Sequence, residues 1–220
     1  MIKAIHFIKR KPGMELEAFR AYWLGRHAEL VSKVPGVRSY VQCHTLLSGY
    51  QKGEPIWDGI AELVYDDVDA MRRAADLPES RAANEDTGNF ADLTRGGTLL
   101  TEEVIQMDGP TNPSMVKMAG FAIRKRGMSV EAFQNYWREI HGPLACKIPQ
   151  VRRYVQCHVR LSAYRDGRQP IYDGVALTWF DNTAAMREKP PEYRAIRRDE
   201  PNFLELHPEN IIITKEHVII

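Results

Sequence analysis

The sequence has no apolar run long enough to cross a membrane. Its longest uninterrupted apolar stretches are a few residues, such as Ile211 to Ile213, whereas a spanning helix needs about 20. Its first residues carry a lysine and a histidine where a signal peptide requires an apolar segment. We therefore expect a cytoplasmic protein with no membrane partner.

Neither sign of charge dominates, and short nucleotide-binding motifs are missing. The chain has 30 Lys and Arg against 29 Asp and Glu, a formal net charge of +1, which argues against a nucleic-acid partner. It contains no phosphate-binding glycine loop, dinucleotide fingerprint or serine nucleophile elbow, so kinases, NAD enzymes and hydrolases of that type are disfavoured.

Cysteine is scarce, with three residues in 220. An odd number in a chain of this size favours free thiols over a disulfide framework. No Cys-x-x-Cys or His-x-x-x-His spacing occurs, so no metal site is predicted. Cys43 and His44 resemble a nucleophile and its base, but neighbours in a strand point to opposite faces and cannot touch.

What the sequence does contain is a tandem repeat. Shifting it by 114 positions places residues 1–48 on residues 115–162 with 25 of 48 positions identical. A repeat of about 110 residues is a complete small domain, which excludes solenoids of shorter units. We predict one domain over residues 1–109, a linker over residues 110–114 rich in turn formers, and a second domain over residues 115–220.

Each repeat has the pattern β-α-β-β-α-β. Short apolar segments at residues 2–8 and 116–123 predict first strands, and Leu16, Phe19, Trp23, His27 and Leu30 form the buried stripe of a helix. Residues 37–47 and 56–65 predict a hairpin, a second helix begins near Asp67 or Asn182, and residues 98–107 or 211–220 form a last strand.

This order predicts an α+β protein made of two ferredoxin-like domains. A four-stranded sheet with both helices on one face leaves its other face uncovered. We expect the two sheets to pack against each other as an intramolecular pseudo-dimer, in the manner of a dimeric α/β barrel. A homodimer formed through an outer helix face is a further possible assembly.

The helix motif resembles that of a known family. Phe19-x-x-Tyr22-Trp23-x-x-x-His27-x-x-Leu30, followed by Pro35-Gly36-Val37-x-x-Tyr40, resembles the signature of EthD domains in the dimeric α/β barrel superfamily. The second repeat carries the pattern in register and departs at Gln150, where the family has glycine. The resemblance implies a pocket between helices and sheet for a small, often cyclic or aromatic molecule. Similar proteins act on aromatic polyketides without a metal, and related barrels include monooxygenases, lactone isomerases and haem enzymes.

Two sets of side chains are candidates for this pocket. On the helix, Trp23 and His27 lie four residues apart and share a face, as do Trp137 and His141, and a buried imidazole can move protons near neutral pH. A histidine that merely hydrogen-bonds a loop is the structural alternative. On the second strand, alternation places one polar set on a single face: Tyr40, Gln42 and His44 in the first repeat, and Tyr154, Gln156 and His158 in the second.

The two repeats also differ at candidate positions. His6 aligns with Gly120, so it is either an additional proton carrier in the first repeat alone or a hydrogen-bonded residue of the core. Trp57 aligns with Tyr172, and both are candidate substrate contacts. Asp58 and Asp173 have two interpretations, as carboxylates that orient a histidine or as turn-capping residues.

These residues predict a cofactor-independent enzyme with His/Tyr acid-base chemistry. The resemblance to EthD domains implies that its substrate is a small aromatic, lactone or polyketide-like metabolite. Lyase, isomerase and monooxygenase outcomes all pass through an enolate or carbanion, so the sequence does not separate them. The alternatives are a non-catalytic small-molecule binding module and a haem-binding barrel oxidoreductase with a helix ligand such as His141. The predicted catalytic residues are His6, His27, Tyr40, His44, His141, Tyr154 and His158, and the predicted substrate-binding residues are Trp23, Gln42, Trp57, Trp137, Gln156 and Tyr172.

Overall fold

The computed structural model describes all 220 residues and contains two compact units. The first comprises residues 1–100 and 216–220, and the second residues 101–215. Each contains helices and an antiparallel sheet in the predicted order, which confirms the α+β class and the two ferredoxin-like units. None of the helices has the length and apolar character needed to cross a membrane.

The elements of the first repeat follow the predicted sequence order. They are β1 (Ile2–Arg10), α1 (Leu16–Tyr22), a π-helical turn (Trp23–His27), α2 (Ala28–Val31), β2 (Ser39–Thr45), β3 (Gly59–Tyr65), α3 (Val68–Ala75), α4 (Pro78–Thr87) and β4 (Ala91–Met107).

The second repeat has the same elements with one additional short strand. They are β5 (Val116–Arg124), α5 (Val130–Tyr136), a π-helical turn (Trp137–His141), α6 (Gly142–Ala145), β6 (Val151–Val159), β7 (Gly174–Phe180), α7 (Thr183–Arg187), α8 (Pro191–Asp199), β8 (Leu204–Glu205) and β9 (Ile211–Val218).

The last strand of each repeat contributes residues to both units. In the first unit the strand order is β4-β1-β3-β2-β9, and in the second it is β4-β6-β7-β5-β9. Residues 91–100 of β4 belong to the first unit and residues 101–107 to the second, while β9 is divided in the opposite sense. The C-terminal residues of the second repeat therefore pair with β2 of the first, where the backbone of Tyr40 bonds those of Ile219 and Ile220.

The predicted first helix is confirmed, with a π-helical turn at its centre. Phe19 and Trp23 of its apolar stripe are fully buried, and Phe133 and Trp137 take the same places in the second repeat. The spacing of the apolar residues does not distinguish a π-turn from an α-turn, so the π-turn could not be predicted. Such turns are frequent at functional sites, and here Trp23 and His27 are its first and last residues.

The second helix begins as predicted, at a polar cap. A carboxylate oxygen of Asp67 accepts a hydrogen bond from the Ala70 amide at 2.7 Å, and the Asn182 amide oxygen accepts one from Ala185 at 2.9 Å. The predicted single helix is divided in two in each repeat. The later segments begin at Pro78 and Pro191, because proline has no amide hydrogen and is accepted only in the first turn of a helix.

Candidate functional site

Each unit contains a cavity lined by residues of its helices and its sheet. The first, of about 470 Å³, is lined by residues that include His6, His27 and Tyr40. The second, of about 500 Å³, is lined by residues that include His141 and Tyr154. The two cavities therefore use equivalent positions of the two repeats, at the predicted face between helices and sheet.

His27 is held by a buried carboxylate. Its Nδ1 atom lies 3.0 Å from Oδ2 of Asp86, a residue at the end of α4. Since a carboxylate only accepts hydrogen bonds, Nδ1 carries the proton, and the neutral ring keeps its lone pair on Nε2. Tyr22 and Asn89 also donate to Asp86, at 2.6 and 3.1 Å.

The second repeat builds the same constellation. Nδ1 of His141 lies 2.9 Å from Oδ2 of Asp199. Tyr136 and Asn202 donate to that carboxylate at 2.6 and 3.2 Å. Four side chains therefore recur in the same hydrogen-bonding roles in the two repeats.

The two aspartates are functional candidates that the sequence prediction missed. They come from the second helix, where the repeats resemble each other less strongly. A signal was available, because Asp86-x-x-Asn89-Phe90 aligns with Asp199-x-x-Asn202-Phe203. Only the fold brings this motif beside a histidine 59 residues earlier.

Burial keeps the two histidines neutral. It lowers the pKa of His27 and of His141, and the hydrogen bond that each histidine donates to its aspartate offsets part of that effect. Burial alone would raise the pKa of Asp86, but the bonds from Tyr22, His27 and Asn89 bring it below its ordinary value. The pair is thus a neutral imidazole on an ionised carboxylate, an arrangement suited to a general base.

One tyrosine lines each cavity, Tyr40 in the first and Tyr154 in the second. Tyr40 is fully buried, and its burial raises its pKa to about 12, so the phenol stays protonated. Burial likewise raises the pKa of Tyr154. These residues are therefore hydrogen-bond donors at neutral pH and not bases.

The cavities differ at His6, as the alignment predicted. Nδ1 of His6 lies 2.8 Å from Oγ1 of Thr98. Burial lowers the pKa of His6 to about 4, with a smaller contribution from His27. In the second cavity the equivalent residues are Gly120 and Ile211, so that wall is apolar and has more space.

Several predicted site residues do not line the cavities. Gln42 and His44 are buried behind Tyr40, and the His44 ring stacks on Trp23 with centroids 4.4 Å apart. Burial lowers the pKa of His44 to about 3. The residues placed outside the two cavity walls are Trp23, Gln42, His44, Trp57, Gln156, His158 and Tyr172, whereas Trp137 does line the second cavity. A direct role for these outer residues in binding stays a prediction.

Asp58 and Asp173 do not bond a histidine. A carboxylate oxygen of Asp58 accepts from the Arg10 backbone amide at 2.8 Å and another from the Tyr50 hydroxyl at 2.6 Å. Asp173 repeats this with Arg124 and Tyr164. Each aspartate instead links the first strand of its repeat to the segment that connects the next two strands.

One cluster has the atoms of a metal site, with a lysine beside it. Ligand atoms of Cys43, Glu62 and Glu216 lie within 4.8 Å of one another. The Lys3 ammonium, however, lies 2.5 Å from the Glu62 carboxylate and already supplies a positive charge there. The cluster is therefore explained as a buried ion pair with its hydrogen-bonded neighbours.

The fold and the paired cavities define a class, the tandem ferredoxin-like α+β proteins with a pocket under the helices. Within this class, the EthD domain profile matches residues 11–94 and 125–207, more than half of the sequence. The chain therefore belongs to the EthD domain family, as two tandem copies. No curated protein matches the sequence significantly.

Solved structures share the fold at low identity. An anthrone oxidase-like protein is 11% identical with a TM-score of 0.65, covering 99% of this chain and 90% of its own. A monooxygenase candidate from Lactobacillus acidophilus is 12% identical with a TM-score of 0.57, covering 100% of this chain and 94% of its own. An ethyl tert-butyl ether degradation family protein from Bacillus halodurans is 28% identical with a TM-score of 0.40, covering 47% of this chain and 99% of its own.

Proposed function

We propose that this protein is an enzyme that removes a proton from a small cyclic molecule bearing a carbonyl or phenol oxygen. The observation that carries the proposal is that His27, which is hydrogen-bonded to Asp86, lines the same cavity as Tyr40. The repetition of the three residues as His141, Asp199 and Tyr154 supports it.

The proton transfer follows from the protonation states. The C–H bond next to the substrate carbonyl breaks, its proton goes to Nε2 of the histidine, and its electron pair is delocalised onto the carbonyl oxygen. The imidazolium that forms is stabilised by the aspartate, and the tyrosine donates a hydrogen bond to the enolate oxygen. No metal is required for this step.

The enolate can react in several ways, among them isomerisation, elimination and reaction with dioxygen as a co-reactant. The names of the anthrone oxidase-like protein and of the monooxygenase candidate favour the oxidative one. Three free cysteines support a reducing compartment such as the cytoplasm.

The test uses 1-tetralone, a two-ring ketone, in deuterated buffer at pH 7. We expect the protein to accelerate exchange of the protons next to the carbonyl, followed by proton NMR. The double variant His27→Gln/His141→Gln should lose this acceleration while its circular dichroism spectrum stays unchanged. Binding of tetralone without faster exchange would instead support the non-catalytic binding module.

The haem alternative has its own test. His141 presents Nε2 to its cavity while Asp199 holds Nδ1, so it offers one nitrogen to an iron. An absorption spectrum of protein purified from cells supplied with a haem precursor separates the two functions. A Soret band lost in His141→Gln would replace the acid-base proposal for that cavity.

A further inference from the structure

Behind each cavity tyrosine lies a buried glutamine whose orientation is determined by its neighbours. The Gln42 side-chain nitrogen lies 2.7 Å from the backbone oxygen of Trp23, which belongs to the π-helical turn. A carbonyl oxygen only accepts hydrogen bonds, so the atom facing it must be the NH2 group. The amide oxygen of Gln42 then faces Nε2 of His44 at 2.9 Å.

This orientation determines the direction of the next hydrogen bond. The same Gln42 nitrogen lies 2.7 Å from the Tyr40 hydroxyl oxygen and donates to it. The Tyr40 proton has no acceptor in the protein, although the residue is fully buried. Tyr40 is also one of the residues that line the cavity.

The second repeat repeats the arrangement. The Gln156 nitrogen donates to the Trp137 backbone oxygen at 2.8 Å and to the Tyr154 hydroxyl at 3.3 Å. The Trp137 indole also donates to that hydroxyl, at 2.9 Å. His158 lies against the Gln156 oxygen at 2.9 Å, as His44 does against Gln42.

We infer that Gln42 and Gln156 are positioning residues that direct the tyrosine hydroxyl proton into the cavity, so that each site selects ligands carrying an acceptor oxygen. The ligand class is a cyclic ketone or a phenolate, as opposed to a hydrocarbon or an amine of the same shape. The inference rests on the proposed function for the location of the site. It gives the two glutamines a role other than the substrate contact that the sequence predicted.

The test compares 1-tetralone with tetralin, the same ring system without the oxygen. Binding is measured by calorimetry in a Tyr154→Phe background, so that Tyr40 is the remaining hydroxyl donor. We expect tetralone to bind about tenfold more tightly than tetralin, the value of one neutral hydrogen bond. Tyr40→Phe should remove this preference.

The decisive variant is Gln42→Glu. A carboxylate accepts hydrogen bonds, so it would take the Tyr40 proton away from the cavity. Tetralone and tetralin should then bind with about equal affinity, with tetralin binding unchanged from the protein that has Gln42. Gln42→Met removes the directing bond without adding a charge and should give an intermediate preference if the glutamate variant fails to fold. Gln156→Glu in a Tyr40→Phe background is the matched test of the second cavity.

A full tetralone preference in both Gln42 variants would overturn the inference. The outcome is separable from that of the proposed function, because binding requires no proton transfer. If the protein accelerates exchange but the Gln42 variants keep the preference, the inference alone is wrong. If the variants lose the preference but the protein does not accelerate exchange, the proposed function alone is wrong.

Discussion

Asp86 and His27 form a hydrogen-bonded pair, with a carboxylate oxygen 3.0 Å from Nδ1 of the ring, and Asp199 and His141 reproduce it at 2.9 Å. In each repeat the histidine is the last residue of the π-helical turn. Asp199 is the last residue of α8, and Asp86 is the residue before the last of α4. In each unit the helices thus contribute a histidine that lines the cavity and the carboxylate that orients it.

The first prediction concerns this pair. Asp86→Asn combined with Asp199→Asn removes both orienting carboxylates, so the exchange rate of 1-tetralone should fall by about tenfold to a hundredfold. The rate is measured by NMR at pH 7, with Asp66→Asn, an exposed carboxylate outside both cavities, as the control. An unchanged rate in the double variant would show that the pair is structural.

A second prediction concerns stability at acidic pH. His44 and His158 are buried, and burial lowers their pKa values to about 3 and about 4. An unfolded chain takes up protons at these residues below about pH 6.5 and the folded one does not, so the free energy of unfolding should decrease as the pH falls from 7 to 5. Each residue contributes roughly 2 kcal/mol to that decrease.

Urea unfolding of wild-type protein, His44→Gln and His158→Gln at the two pH values measures this effect. Between pH 7 and pH 5 the free energy of unfolding should decrease less in each variant than in the wild type, by roughly 2 kcal/mol. Equal differences in all three proteins would contradict it.

The close packing of Gly59 against Trp23 leads to a third prediction. A Cβ at Gly59 would lie 2.5 Å from the Cys43 backbone oxygen and 2.7 Å from the Trp23 ring. Gly59→Ala should therefore destabilise the protein by about 1–3 kcal/mol, measured by urea unfolding. The matched control is Gly25→Ala in the π-helical turn, where nothing lies within 4 Å and a small gain is expected.

A fourth prediction follows from the difference between the cavities. A Cβ at Gly120 would meet the Ala176 and Ile211 side chains only at 3.8 and 4.0 Å, so the second cavity has room where His6 fills the first. The three-ring ketone 9-fluorenone should bind the second cavity, and Gly120→His should weaken that binding by about tenfold or more, because the added ring occupies the space.

The reciprocal variant provides the control. His6→Gly should create a second fluorenone site of comparable affinity, counted by calorimetry. Two sites already present in the wild-type protein would show that His6 does not limit the size of the ligand.

Much of the fold could be predicted because the relevant signals are local. The apolar stripe from Leu16 to Leu30, the polar caps Asp67 and Asn182, and the alternation around Tyr40 each act within a few residues. The placement of His27 and Tyr40 at a cavity wall follows from those periods. The π-helical turn could not be predicted, because it adds one residue to a helical turn and still leaves the three- and four-residue spacing of the apolar side chains.

The sequence by itself determined the duplication, the order of elements in each copy and the candidate base in each helix, because these depend on residue identity and spacing. The tertiary structure decided which partner each group meets. It brought Asp86 to His27, placed Gln42 behind Tyr40 and separated His44 from the cavity. Such contacts join residues on different elements, and their geometry is determined by how the helices pack on the sheet.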